Sequence, residues 1–327
     1  MMTSLPHADE IHPGLFRIDT PLGGRMVSLY VLRGTGGAML FDTGVRGTIP
    51  DHLLPALADL GIAPAEISTA VVSHCDVDHF GGISDVRTFV PSARVTVHAS
   101  DRAAVEDIDT FLAERGNGFA REYGLEESEA SIAWMREVGG AGPVDDIVDD
   151  GDVLDLGGIS AEILHLPGHT HGHLGLWVPE ASAYIVGDAV LADSVDLADG
   201  TPAFPPTYRY VADYRRTTER LRARPARHLL TAHYPTFTGV AVLDLLDRTS
   251  RFVDSLEVLV LRAIPSELPG VSLPALLDDI NPVAGGWPVE GTSGALAYPV
   301  VGHLEDLGER GLIERHGERG DYRWTRR

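Results

Sequence analysis

Within six positions the chain places four metal-binding side chains, His74, Asp76, Asp78 and His79, directly after the apolar run Thr69-Ala70-Val71-Val72 and before Phe80-Gly81-Gly82. A helix repeats every 3.6 residues or so and a strand every two, so neither can aim all four side chains at one point. A loop at the end of a buried strand can, by curling around a cation. The first expectation is therefore a fold of buried strands that carries its chemistry on the loops where those strands end.

Four further segments repeat that strand-to-loop arrangement. Met39-Leu40-Phe41-Asp42-Thr43-Gly44 is an apolar run ending in aspartate, and Leu164-His165-Leu166-Pro167-Gly168-His169-Thr170 leads into a tight turn bearing histidine. Tyr184-Ile185-Val186-Gly187-Asp188 ends in Gly-Asp, and Leu229-Leu230-Thr231-Ala232-His233 ends in histidine. Together and in this order the five segments resemble the metallo-β-lactamase superfamily across roughly residues 10–240. The resemblance implies an α/β fold, the αβ/βα sandwich of that superfamily. It also implies a binuclear site with His74, Asp76 and His169 at one metal and Asp78, His79 and His233 at the other, bridged by Asp188. Asp42 would brace the loop from outside the ligand shell.

Position 76 departs from the pattern, because the superfamily most often has histidine there. A carboxylate oxygen lies as many bonds from Cα as the imidazole Nδ1, so Asp76 is a plausible ligand. With Asp78 and Asp188 it makes three carboxylates and leaves the site one positive charge poorer. Oxygen-rich ligation shifts preference from zinc toward iron or manganese. Two divalent ions are expected, zinc first, with iron or manganese as the alternative Asp76 introduces. Cys75 sits at an alternate position and is read as a buried, inert thiol. His173 is read as structural, and His98, His165, His228 and His303 match no motif.

At 327 residues the chain suits one large domain with a smaller appendage. Composition is 44% apolar and holds no run long enough for a membrane span. The stretch Met1–Glu10 lacks the basic start and apolar core of a signal peptide. One cysteine excludes an intramolecular disulfide and fits a cytoplasmic location. A net charge of −22 repels phosphate backbones and makes nucleic acid an unfavoured partner. The local exception is the tail from Arg310 to Arg327, where six arginines face three acidic residues.

Strands are expected at 15–18, 26–32, 69–73, 93–98, 152–156, 160–166, 175–178 and 183–186, with a helix at 48–60. The polar stretch 100–150 reads as a helical insertion, either covering the active site or lying on the surface. Residues 240–263 read as a long helix with a possible break near Thr249. A Pro- and Gly-rich stretch follows, then a helix at 297–310 and two strands flanking a glycine turn. The ending resembles half a winged helix, as in the β-lactamase-like protein 2 and glyoxalase II-like group, and gives domains of 1–240 and 241–327. The apolar face Val300, Val301, Leu304 and Leu307 needs a partner surface, within the chain or in a homodimer.

The expected activity is metal-dependent hydrolysis of a thioester, lactone or related activated ester. Two divalent ions about 3.5–4 Å apart generate hydroxide near neutral pH and polarise the carbonyl. Asp78 and Asp188 are the expected catalytic carboxylates. Tyr208, Tyr210 and Tyr234 lie just past ligand motifs and are candidates for lining a small-molecule pocket. A di-iron oxygen-binding enzyme, motivated by Asp76, and a nucleic-acid-processing hydrolase, motivated by the winged helix, are the alternatives.

Overall fold

In the computed structural model, which describes residues 8–288 and 293–327, two β-sheets pack face to face. Part of the N-terminal stretch read for a signal peptide, residues 1–7, lies outside the described residues. The first sheet has seven strands in chain order: Ala8–His12, Leu15–Leu22, Arg25–Gly34, Gly37–Phe41, Ile67–Val71, Arg94–Val97 and Asp146–Ile147. Its first four strands pair antiparallel, and the rest pair parallel from Gly37–Phe41 onward. Parallel pairing needs a crossover between strands. Helical residues 49–59 and the helix Ile83–Phe89 supply the first two. The second sheet runs Phe237–Thr238, His228–Leu230, Ala183–Ile185, Leu174–Val178, Ser160–His165, Val153–Asp155.

Tyr30, Met39 and Phe41 of the first sheet meet Ile163, Leu176, Ile185 and Leu230 of the second in the central core. Leu53, Leu57, Phe80 and Val86 cover the outer face of the first sheet. Leu221, Leu245 and Leu246, from the helices Val211–Ala223 and Val240–Ala263, cover the second. The result is a layered helix–sheet–sheet–helix α/β sandwich. The sheets are stitched together where the ligand loops emerge. Ser28 N–H donates to Ala232 O at 2.9 Å, Leu174 N–H to Ser73 O at 2.7 Å, and Tyr30 Oη–H to Thr231 O at 2.6 Å.

The expected break near Thr249 is absent, and Val240–Ala263 is one continuous helix. Thr249 is buried, and its hydroxyl donates to Leu191 O at 3.2 Å, so a polar residue inside the helix ties it to the sheet layer. Within the Pro-rich stretch a further helix, Leu273–Ala284, went unread. Pro274 occupies its first turn, where no amide is needed, and Pro282 falls in its last. The helix Ser293–Glu309 and strands Ile313–His316 and Arg323–Arg326 follow. With Val271–Ser272 these strands form a three-stranded antiparallel sheet with Arg323–Arg326 in the middle. This region shares its core with the preceding chain: Tyr208, Val211 and Tyr214 pack among Phe252, Leu276, Val300 and Leu304.

Candidate metal centre

Past the strand Ile67–Val71 the chain turns, and Asp42 holds the turn in place. Its Oδ1 accepts the Ser73 amide at 2.7 Å, and its Oδ2 accepts the Ser73 hydroxyl at 3.0 Å and lies 2.8 Å from His79 Nδ1. A carboxylate only accepts, so Nδ1 of His79 carries a proton and Nε2 is the nitrogen aimed into the cluster. That Nε2 is buried and has no hydrogen-bond partner. His233 is set the same way, its Nδ1 donating to Met26 O at 3.0 Å. Ser73 spends its one hydroxyl proton on Asp42, so His74 Nδ1 must donate to Ser73 Oγ, 2.8 Å away. Three histidines thus direct their Nε2 atoms toward one another.

Around those atoms lie two donor groups, His74–His169–Asp188 and Asp78–His79–His233, each with ligand atoms within 4.8 Å of one another. Asp188 Oδ2 lies 3.2 Å from His233 Nε2 and 3.7 Å from His79 Nε2, and so reaches both groups. Its Oδ1 is a second buried atom without a partner. Buried unpaired acceptors are costly, and a cation would satisfy them, so the donor set fits the two metal ions typical of this fold. Burial pushes the Asp188 carboxyl up, but His233 and His79 outweigh it and hold the group well below the usual carboxylate range. Burial, with His79 and His169, pushes His74 well below its ordinary value and keeps it neutral.

Asp101, unremarked in the sequence, braces this cluster from behind. Its carboxylate accepts the Cys75 amide at 3.1 Å, the Thr170 hydroxyl at 2.6 Å and the Gly172 amide at 2.8 Å, tying the 74–79 loop to the turn bearing His169. Gly168 of that turn has φ +136°, and a Cβ there would lie 2.5 Å from Tyr214 Cα. His173 stacks on His74 with ring centroids 4.6 Å apart, and its Nε2 accepts the Asp188 amide at 3.1 Å. Burial pushes the Cys75 thiol well above its ordinary range, which keeps it protonated. Elsewhere His98, Asp149 and His165 also cluster. There His98 Nδ1 accepts the Ser100 amide, so its proton sits on Nε2, 3.7 Å from Asp149 Oδ1, and neither ring nitrogen has a free lone pair to offer a metal.

Above the donors opens a cavity of about 440 Å³ with Asp76, Asp78, Asp188 and His233 among its lining residues. Phe111, Trp134 and Met135 of the inserted helices wall it, together with Val195, Phe204 and Tyr298. The insertion at 100–150 therefore covers the site. None of the three candidate tyrosines lines this cavity. Tyr208 is fully buried, its hydroxyl 2.8 Å from His303 Nε2. Tyr234 is buried too, its hydroxyl donating to Ser194 O at 2.6 Å. Tyr210 stacks on His171 and borders a separate cavity of about 350 Å³. Tyr208 instead packs with Phe252 and Val300, and Tyr234 with Leu245 and Leu246, so nearness to the motifs in sequence did not bring them to this cavity.

The charge reading of Asp76 also changes. Arg115 clamps its carboxylate in a two-pronged ion pair, with Nη2 2.8 Å from Oδ2. Arg115 is 8% exposed, and the pair as a whole carries no net charge. An electron-rich, iron-favouring site would need an uncompensated carboxylate at position 76, and Arg115 compensates it. Burial pushes the Asp76 carboxyl up, but Arg115 overcomes it and holds the group well below the usual range.

Residues 22–233 match the model of the metallo-beta-lactamase superfamily. The chain belongs to that superfamily. It is 28% identical over 233 residues to human acyl-coenzyme A thioesterase MBLAC2, covering 65% of this chain and 75% of that protein. A shorter match, 35% over 68 residues, covers 21% of this chain and 27% of the hydroxyacylglutathione hydrolase of Erythrobacter litoralis. A metallo-beta-lactamase family protein from Thermus thermophilus superposes with TM-score 0.72 at 23% identity, over 97% of this chain and 100% of that one. A beta-lactamase domain protein from Burkholderia ambifaria gives 0.75 at 19%, over 100% and 96%. The last two include the region after residue 240, so the fold of the whole chain recurs. By family and by donor set, the chain is a metallohydrolase.

Proposed function

We propose that the chain hydrolyses a thioester, or a related activated ester, whose apolar acyl group lies against Phe111, Trp134, Met135 and Phe204 while the carbonyl faces the donor cluster. The observation that carries this reading is the cavity itself, with an apolar wall above a floor of carboxylates and histidine. The thioesterase and hydroxyacylglutathione hydrolase relatives support it. His74, Asp76 and His169 would hold one divalent ion and Asp78, His79 and His233 the other, with Asp188 common to both. Zinc is the metal proposed, since the donors are mostly imidazole and the Asp76 charge is compensated. Such ions supply Lewis acidity and a water acidified toward neutral pH.

The protein's own groups do the rest. Asp78, at the cavity floor with its side chain 15% exposed, is placed to orient a water and accept its proton. The apolar walls exclude bulk water and hold the acyl chain. Arg25, stacked on Phe204 at 4.5 Å, is the cation placed to meet a negative group on the thiol half of the substrate. The test is a matched panel of acyl thioesters, lactones and phosphodiesters, with metal content measured on the same preparation. Hydrolysis of thioesters with apolar acyl groups is expected. Fully loaded protein that cleaves phosphodiesters and leaves every thioester intact would overturn the proposal.

The region 241–327 we read as a winged-helix-like domain that packs on the catalytic domain and does not bind nucleic acid. Its order of helix, strand, two helices and two strands, with the last strand central in the sheet, supports the first part. For the second, the helix Ser293–Glu309, which would otherwise enter a groove, is turned toward the catalytic side. Glu305 forms a two-pronged ion pair with Arg209, and Gly302 lies so close that a Cβ would meet Arg209 O at 2.4 Å. Of the tail arginines, Arg315 and Arg319 face Glu122. Duplex binding at micromolar affinity near 0.1 M salt, falling steeply as salt is added, would refute this assignment.

A further inference from the structure

The superfamily resemblance calls for histidine at position 76, and the structure offers aspartate with a buried arginine instead. The donor atoms around it are already spaced as a cation requires. His74 Nε2 and His169 Nε2 lie 3.1 Å apart, His169 Nε2 and Asp76 Oδ2 2.9 Å, and His74 Nε2 and Asp76 Oδ2 3.5 Å. Ligand bonds of about 2.0–2.2 Å at tetrahedral angles put donors roughly 3.3–3.6 Å apart, within a few tenths of an ångström of these separations. The triangle thus fits an ion, and what holds its third corner is Arg115.

Arg115 engages two sides of that triangle at once. Its Nε and Nη2 grip both oxygens of Asp76, its Nη1 donates to the backbone carbonyl of His169 at 3.2 Å, and its Nη2 lies 3.0 Å from His169 Nε2 itself. It sits on a wide helical turn, Leu112–Gly116, closed by Asn117 N–H donating to Leu112 O five residues back. Tyr298, on the helix Ser293–Glu309, holds the arginine from the other side. Its ring centroid lies 4.6 Å from the guanidinium carbon, and its hydroxyl donates to Arg115 O at 2.6 Å. Stacking on an aromatic face and a planar two-pronged grip are both features of guanidinium that an ammonium lacks.

We infer that Asp76 and Arg115 act as one unit in place of a neutral ligand, and that Tyr298 locks this unit from the C-terminal helix, so that the first metal position depends on the C-terminal region. The inference rests on reading the donor cluster as a metal centre. Arg115 is a positioning residue: it cancels the carboxylate charge and fixes Oδ2 against His74 and His169. Asp76→His alone therefore should not restore the commoner site, because it leaves a guanidinium without a partner beside a cation.

The test measures metal stoichiometry and affinity on the full-length chain with no substrate present, by zinc titration against a chromophoric chelator and by the visible spectrum of the cobalt(II)-loaded protein. Two ions per chain are expected for the parent. Arg115→Met should weaken one of them by roughly 10–100-fold, the range for losing a partner of a ligand, and leave the other at parent affinity. Asp76→His should behave alike, and Asp76→His combined with Arg115→Met should recover both. Tyr298→Leu should weaken the same ion by a smaller factor, and Tyr298→Phe, which keeps the ring, less still. Thermal unfolding of each variant identifies any that fails to fold, and the Tyr298 pair and the double variant then carry the test. Two ions at unchanged affinity in both Arg115→Met and Tyr298→Leu would overturn the inference. So would tighter binding in Arg115→Met, which would mean that the guanidinium competes with the metal. A parent that binds no metal would sink the metal-centre reading itself, an outcome distinct from either.

Discussion

At Asp42 the backbone takes φ 64°, a left-handed conformation uncommon outside glycine, and the carboxylate so aimed receives Ser73 twice and His79 once. The residue sets which imidazole nitrogen of His79 faces inward. Asp42→Ala should cost roughly 10–100-fold in affinity for the ion at Asp78, His79 and His233, read by chelator competition. Asp42→Gly relieves the φ strain and still lacks the carboxylate, so it should lose as much; recovery in the glycine variant would show that only the backbone mattered. His303 illustrates a different residue-scale effect. Burial pushes its pKa down to about 3, so the folded chain keeps it neutral while the unfolded chain protonates it near the ordinary value. The unfolded state then binds more protons, and stability falls as pH drops from about 6.5 toward 3, by up to about 1.4 kcal/mol per unit. His303→Gln, whose amide can still meet the Tyr208 hydroxyl, should flatten the stability–pH curve in that window. An unchanged slope in denaturant unfolding would show that other groups govern the acid sensitivity.

Among the elements, the inserted helices supply part of the apolar cavity wall. Phe111 comes from Ile108–Phe111, while Trp134 and Met135 come from Glu129–Val138, and these side chains line the cavity. Trp134 is 41% exposed and faces the cavity. If the cavity takes an acyl chain, each methylene packed against that ring is worth about 0.8 kcal/mol. Trp134→Ala should therefore lower kcat/KM for long-chain thioesters about tenfold and leave an acetyl thioester within about twofold. Equal losses across the chain-length series would place Trp134 in the fold and not in substrate binding.

For the whole molecule, the decisive feature is that the C-terminal core is not closed on itself. Tyr208, Val211 and Tyr214 pack into the cluster that holds Leu276, Val300, Leu304 and Trp324. The two regions should then unfold together. Leu304→Ala, at a site 3% exposed, should cost about 2–5 kcal/mol and shift a single calorimetric transition as one unit. Two resolved transitions, with only the lower one moved by the substitution, would show the C-terminal region to be independent. Among the described residues no helix is long and apolar enough to cross a membrane.

The candidate ligand motifs were legible because each is local: an apolar strand runs out, and the next side chains must lie at the sheet edge where loops meet. His74, Asp78, His79, His169, Asp188 and His233 follow from that pattern, and the sandwich brings the ends of its two sheets together. The partners of those residues were not legible. Arg115 is 39 residues from Asp76 in a polar helical stretch, and Tyr298 is 183 residues from Arg115, with no periodic signal linking them. The one hint was Asp76 itself, since a buried carboxylate in place of histidine calls for a cation nearby. The cavity walls and the burial of Tyr208 and Tyr234 also depend on contacts between elements distant in the chain. Local sequence determined where this protein can place metal-binding atoms; long-range packing alone decided which charges surround them and what shape lies above them.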